Sequence, residues 1–220
     1  MILTLLLVLL LSQVFVIVVS GETTSLHGGT FIAFAGEKCV VLASDSRFSS
    51  PSSGPLLIGQ FPRAIYRVGK TLIGGYGLDS DTAALLDSIR MKLAAFREED
   101  VEPVTVATVV SDLLYDHRYI CSPIVAGLSR GNEPFLCSMD GLGAQTVSSD
   151  FCVTGTASDG LYAICEALYQ PNLSAHQLVT LTERCLKEAL QRDVMSGCKV
   201  HILTLLPDAI HLKVFESADV

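Results

Sequence analysis

The order of strand-like and helix-like segments constrains the fold of this 220-residue chain more than any other feature. Apolar runs with strand character come in groups, and pairs of segments with helical spacing separate the groups. A parallel sheet of βαβ units requires strands and helices to alternate, so this order disfavours it. Two antiparallel sheets packed face to face, with helix pairs outside them, accommodate both patterns. We therefore predict an α+β protein.

The predicted elements follow from the spacing of apolar residues and from the turn residues between them. We predict strands at 30–35, 39–43, 64–68, 71–73, 124–126, 134–138, 151–154, 200–206 and 210–215. We predict helices at 80–99, 104–118, 157–169 and 174–192. Asp79 or Ser80 is the expected N-cap of the first helix. The segment 48–59 is rich in Ser, Pro and Gly, which indicates a loop.

Charge and cysteine content disfavour several classes of function. The net charge is −8 and no cluster of Lys and Arg occurs, so nucleic acid and anionic membrane surfaces are poor partners. The seven cysteines are odd in number, widely spaced and without a C-x-x-C pair, unlike a zinc site or a disulfide framework. We expect them to be small buried hydrophobes in a reducing compartment, and we expect no metal or cofactor.

The first 27 residues differ in character from the rest of the chain. Residues 2–19 are almost wholly apolar and uncharged, which is typical of a signal or a membrane anchor, although the basic start of a secretory signal is missing. The triplet that begins at Asn172 is a formal glycosylation sequon, a pattern that is common by chance. We treat 1–27 as a leader, either signal-like or wrongly assigned to the chain, and 28–220 as one domain.

Three short motifs match one enzyme family in residue type and spacing. They are Gly28-Gly29-Thr30 with Asp45 16 positions after Gly29, Gly155-Thr156-Ala157-Ser158, and Arg192-Asp193-Val194-Met195-Ser196-Gly197. From Gly28 onward the chain resembles beta-type subunits of the proteasome core particle, which are N-terminal-nucleophile hydrolases. The resemblance covers nearly the whole body and implies a four-layer αββα sandwich.

The resemblance also implies roles for individual positions. Active relatives attack with an N-terminal Thr, freed by self-cleavage of a Gly-Thr bond and assisted by a Lys and two Asp. Asp45 and Asp193 match the two Asp, Ser196 matches a hydroxyl that orients the amine, and Thr156 stands where Ser is usual. Gly29 matches the nucleophile and has no side chain to attack with. Arg63 matches the Lys, and a guanidinium stays protonated, so it cannot share a proton.

These two losses predict a subunit that is not an enzyme. The resemblance implies a structural role in a beta ring, in contact with two beta neighbours, the alpha ring and the opposite beta ring. Such a subunit would support assembly, and with it the ATP- and ubiquitin-dependent degradation that neighbouring active subunits perform. Family analogy implies work in the cytoplasm and nucleus, which conflicts with the signal-like leader.

Other interpretations of the same residues remain open. Thr30 could be a displaced nucleophile, but a shift of one residue along a strand turns a side chain to the opposite face. A secreted or anchored protein would use residues 1–20 as a signal. Without a nucleophile, Asp45 and Arg47 would form a structural ion pair, and Asp193 and Ser196 would brace a turn through side-chain-to-backbone bonds. The glycine-rich stretch 74–77 lacks the Lys-Ser/Thr of a phosphate loop.

Overall fold

Two five-stranded antiparallel sheets form the framework of this computed structural model, which describes residues 27–49, 57–60 and 65–216. The strands are, in chain order, β1 Thr30–Gly36, β2 Cys39–Asp45, β3 Arg47–Ser49, β4 Leu57–Gln60, β5 Tyr66–Val68, β6 Thr71–Gly77, β7 Cys121–Leu128, β8 Pro134–Met139, β9 Gln145–Ser148, β10 Phe151–Gly155, β11 Lys199–Leu205 and β12 Ile210–Glu216. The first sheet has the order β10-β1-β2-β11-β12 and the second the order β5-β6-β7-β8-β9. A separate two-stranded sheet pairs β3 with β4.

Four α-helices cover the outer faces of the two sheets. They are α1 Asp79–Leu93, α2 Pro103–His117, α3 Ser158–Leu168 and α4 Ala175–Leu190. A capping box at Ser174 and Gln177 starts α4, where each residue's side chain bonds the other's backbone N–H. Pro103 opens α2, at the position where its missing N–H costs nothing.

Three apolar clusters define the layers. The first joins β1, β2 and β11 to helices α3 and α4, with Ile32 and Ile202 against Leu161 and Leu186. The second joins β6 and β7 to α1 and α2. The third lies between the sheets, where Phe31 and Leu42 pack with residues that include Leu72, Ile124 and Leu136. The inner strands β1, β2 and β7 therefore divide their alternate side chains between two clusters, and the predicted αββα sandwich is confirmed.

The structure corrects several predicted elements. Part of the predicted loop 48–59 lies in strands β3 and β4, and the polar edge strand β9 was missed. The stretch 74–77 lies in β6, paired with β7, rather than ending the hairpin. Helix α1 stops at Leu93 and not at residue 99, and Phe96, which the predicted helix included, is 59% exposed beyond its end.

The N-cap of α1 is Leu78, not Asp79 or Ser80, and contacts with the chain entering β7 fix this start. The Leu78 N–H donates to the carbonyl of Ile120 at 2.9 Å. In return, the N–H of Ile120 donates to the carboxylate of Asp81 at 2.8 Å. A tertiary pair of hydrogen bonds therefore decides where this helix begins.

The predicted leader lies outside the described residues, apart from His27. In the part of the chain that the structure describes, no helix is both long and apolar enough to cross a membrane. The sequon residue Asn172 lies in the turn before α4, in a left-handed conformation with φ of 61°.

All seven cysteines are buried free thiols, as the sequence predicted. Burial raises the pKa of Cys39 and of Cys137 to about 11, and that of Cys121 to about 12. We expect iodoacetamide at pH 8 to alkylate these three thiols at least about 100-fold more slowly in the native protein than in urea, because two pKa units reduce the reactive thiolate that far. Peptide mass spectrometry after timed labelling measures the ratio. Comparable native and unfolded rates would show that these thiols are accessible.

Candidate functional site

The carboxylate of Asp45 lies at the centre of the site. Asp45 ends β2 and is 0% exposed. One carboxylate oxygen accepts the backbone N–H of Thr30 at 2.8 Å, and the other accepts the N–H of Gly197 at 2.8 Å. The second oxygen also accepts the backbone N–H of Arg47 at 3.3 Å. Asp45 thus connects the start of β1 to the segment before β11.

A chain of hydroxyl groups lies next to this carboxylate. The Ser196 hydroxyl is 2.7 Å from that of Thr30 and 2.7 Å from that of Thr156. The Thr156 hydroxyl donates to the carboxylate of Asp193 at 2.5 Å. The N–H of Ala157 donates to the Thr30 hydroxyl at 3.3 Å. Three segments far apart in the sequence therefore share one polar network.

The structure brings together four of the residues that the resemblance singled out, namely Asp45, Thr156, Asp193 and Ser196; we refer to them as the frame residues. Asp193 braces its turn as predicted, because its other oxygen accepts the N–H of Met195 at 2.9 Å. Ser196 differs from the prediction: among the described residues, its side chain bonds two hydroxyls and no backbone group. Arg63 lies outside the described residues.

Gly29 lies where β1 and β10 begin to pair. Its carbonyl accepts the N–H of Thr156 at 3.0 Å. A Cβ on Gly155 would lie 2.1 Å from that carbonyl oxygen, so the two backbones touch. Gly29 offers this site backbone groups alone, and neither an N–H nor a carbonyl of an intact peptide is a nucleophile of the family's kind.

The residues upstream of Gly29 are packed against the same site. The Gly28 N–H donates to the carbonyl of Ser49 at 2.8 Å, and the Ser49 hydroxyl donates to the carbonyl of Met195 at 2.7 Å. A Cβ on Gly28 would lie 2.2 Å from both the Met195 carbonyl oxygen and the Ser49 hydroxyl. The His27 ring lies 4.5 Å from that of Phe48. His27 and Gly28, the described residues ahead of Gly29, therefore have a defined place in the fold.

Thr30 is the residue whose contacts the sequence did not predict. The shift of one residue was expected to turn its side chain away from the frame residues, yet its hydroxyl reaches Ser196. Thr30 is 0% exposed, and its nitrogen is a backbone amide that donates to Asp45. The Thr30 hydroxyl therefore lies between two hydrogen-bonding groups and is closed to solvent. It links segments of the protein itself and has no face open to a substrate.

Several contributors to the site carry no sequence signal of their own. The N–H groups of Ala157 and Gly197 and the hydroxyl of Ser49 belong to common residue types that mark no particular role. Their roles depend on pairing between segments more than 100 residues apart, as for Asp45 with Gly197 and Thr30 with Ala157. Spacing within a motif does not reveal such contacts.

The comparison with known protein families gives one match, described as proteasome subunit, which covers residues 25–205. Curated proteins similar to this chain carry related names. One is a probable proteasome subunit beta type-3 of Schizosaccharomyces pombe, 39% identical over an alignment of 186 positions that covers 81% of this chain and 90% of that protein. The proteasome subunit beta type-3 of Oryza sativa is 37% identical over 84% of this chain and 92% of that protein. That of Saccharomyces cerevisiae is 34% identical over 86% of this chain and 94% of that protein.

Proposed function

This chain belongs to the proteasome subunit family, and we propose that it is a non-catalytic beta-type subunit of the core particle, of the third type. The three curated relatives named above bear that type in their names and are matched over about nine-tenths of their length or more. The single observation that carries the absence of catalysis is Gly29, which has no side chain at the nucleophile position. We propose residues 28–220 as the subunit domain and the cytoplasm and nucleus as its place of work.

The frame residues then have a structural role. Asp45, Thr156, Asp193 and Ser196 bind one another's segments through hydrogen bonds, with Thr30 as the shared partner. An N-terminal nucleophile would need a free amine at this point. Here the chain continues upstream through Gly28, which is packed against Ser49 and Met195. The subunit would therefore keep its upstream residues and contribute surfaces for two beta neighbours, the alpha ring and the opposite beta ring.

The rival enzyme hypothesis requires cleavage between Gly29 and Thr30. One observation favours it, because the Thr30 hydroxyl does reach Ser196. The complete burial of Thr30 opposes it, since a peptide carbonyl must approach a nucleophile to within about 3–3.5 Å. The residue type at position 63 opposes it as well. Arg63 stands where active relatives have the Lys, and a guanidinium does not accept the proton of a hydroxyl at ordinary pH.

The test is native purification of the full-length chain through a C-terminal tag, followed by intact mass and identification of its partners. We expect a large complex that contains other alpha- and beta-type subunits in equal amounts, and an N-terminus upstream of Gly28. A monomer, or secreted material with glycan on Asn172, would contradict the proposed function.

The N-terminus of the same sample decides between the inactive and active forms. A chain that starts at Thr30 would be a self-processed threonine protease. Thr30→Val then provides the matched control, because it removes the hydroxyl and would abolish processing if Thr30 were the nucleophile. We expect the N-terminus to be the same in both proteins.

A further inference from the structure

A cavity with a mixed polar and apolar lining lies between the first turns of α4 and the β11–β12 hairpin, and it shares no residue with the site around Asp45. Its volume is about 270 Å³. The helix contributes Ala175, His176, Val179 and Thr180 to the lining, and the hairpin contributes Thr204, Leu206, His211 and Lys213. Thr204 and His211 are directly opposed in the β11–β12 pair, so both side chains lie on the face toward α4. None of the described residues that line the cavity is acidic.

Thr204 is the buried polar residue of this cavity. It is 3% exposed, and its side chain is part of the cavity wall. Its hydroxyl has no hydrogen-bond partner among residues 27–49 and 65–216, unlike that of Thr180, which donates to the carbonyl of His176 at 3.0 Å. Buried hydroxyls are normally bonded. The hydroxyl of Thr204 is therefore a donor available to a group inside the cavity.

The other polar side chains that line the cavity can each donate a hydrogen bond, and one carboxylate, that of Glu183, lies beside Lys213. The Lys213 ammonium pairs with Glu183, and an ammonium has three N–H donors, so this pair leaves further donors. His176 and His211 each carry a ring N–H. The capping box uses the N–H groups of Ser174 and Gln177, and those of Ala175 and His176 complete the first turn at the positive end of α4. An acceptor with negative charge matches this set.

We propose that the cavity binds a small oxyanion, held through a phosphate or carboxylate group by Thr204, His176, His211 and Lys213. A volume of about 270 Å³ is just below the range in which drug-sized ligands bind, about 300–1,000 Å³, so it suits one acidic group with few other atoms. Helix N-termini with neighbouring cationic or hydroxyl side chains hold such groups through N–H donors and the helix dipole. The ligand would join α4 to the β11–β12 hairpin.

The test is isothermal titration calorimetry of the full-length chain, in the complex in which it purifies, with sodium phosphate at constant ionic strength. We expect one saturable site per copy. Thr204→Val preserves the side-chain shape and removes the hydroxyl, and it should weaken phosphate binding about fivefold, which corresponds to one hydrogen bond of about 1 kcal/mol. Thr204→Ser keeps the hydroxyl and should retain the affinity.

The two histidines provide a second test that does not disturb the core, since both are exposed. A double variant with His176→Ala and His211→Ala should lose saturable binding, whereas Lys92→Ala, an exposed cation on α1 outside the cavity, should leave it unchanged. Acetate in place of phosphate identifies which oxyanion is preferred. Absence of saturable heat with both anions, or equal affinity in wild type and Thr204→Val, would overturn the proposal. Incorporation into the core particle is measured separately, so this site and the proposed function fail independently.

Discussion

Replacing Asp45 with alanine is expected to lower the free energy of unfolding by about 3–5 kcal/mol. The carboxylate is fully buried and accepts the N–H groups of Thr30, Gly197 and Arg47. Alanine leaves the first two donors buried without an acceptor, and each such loss costs about 1–3 kcal/mol. Urea unfolding of the purified full-length chain, with the slope m checked for constancy, measures the change.

Two further variants separate the role of the carboxylate from a general effect of removing charge. Asp45→Asn keeps one oxygen acceptor and should lower the free energy of unfolding less than alanine does. Its NH₂ group would face only one of the two N–H donors and leave the other with an acceptor. Asp208→Ala removes an equal charge from the exposed turn before β12 and should change stability by less than about 0.5 kcal/mol. A loss below about 1 kcal/mol in Asp45→Ala would contradict the structural role given to this residue.

The sequence predicted the fold well where one periodicity dominates. The apolar runs of β1 and β2 are buried on both faces, and the leucines and isoleucine of α1 recur at helical spacing. The sequence therefore predicted correctly which of these elements are strands and which is a helix. Strand β9 has the sequence QTVS and a largely exposed surface, so no apolar pattern marks it. The predicted helix 80–99 included Phe96, which lies beyond the end of α1 and is exposed. Such cases depend on tertiary packing, which periodicity does not encode.

The site was predictable only as far as its motifs extend. The resemblance marked Asp45, Asp193 and Ser196, and the structure places their polar groups in one network with Thr156. The role of Thr30 could not be predicted, because it depends on the pairing of β1 with β10, whose residues lie more than 100 positions apart. The packing of Gly28 against Met195 is equally long-range. Motif spacing identifies residue types, whereas strand pairing decides which hydroxyl meets which.

Gly155→Ala is expected to lower the free energy of unfolding by about 3–5 kcal/mol, through backbone strain and overpacking together. Gly155 has a φ of +111°, a conformation that side chains disfavour, and it is paired with Thr30 across β1 and β10. Its Cβ would lie 2.1 Å from the Gly29 carbonyl oxygen and 2.7 Å from the Thr30 Cα. Both are backbone atoms, so the strands must separate at the point where Thr156 bonds Gly29. Urea unfolding measures the loss, and faster hydrogen exchange of the Thr30 amide locates it.

Gly160→Ala is the matched control, because the same change in side chain should have the opposite sign there. Gly160 is exposed in the first turn of α3, and nothing lies within 4 Å of the position its Cβ would take. Alanine favours helix over glycine by about 0.5–1 kcal/mol, so this variant should be more stable than the wild type. If both variants changed stability by similar small amounts, the close approach of β1 and β10 at Gly29 would not be the constraint that holds the frame residues together. If Gly155→Ala alone destabilises the protein, a glycine at 155 is required by the same contact that positions Gly29 and the hydroxyl of Thr30.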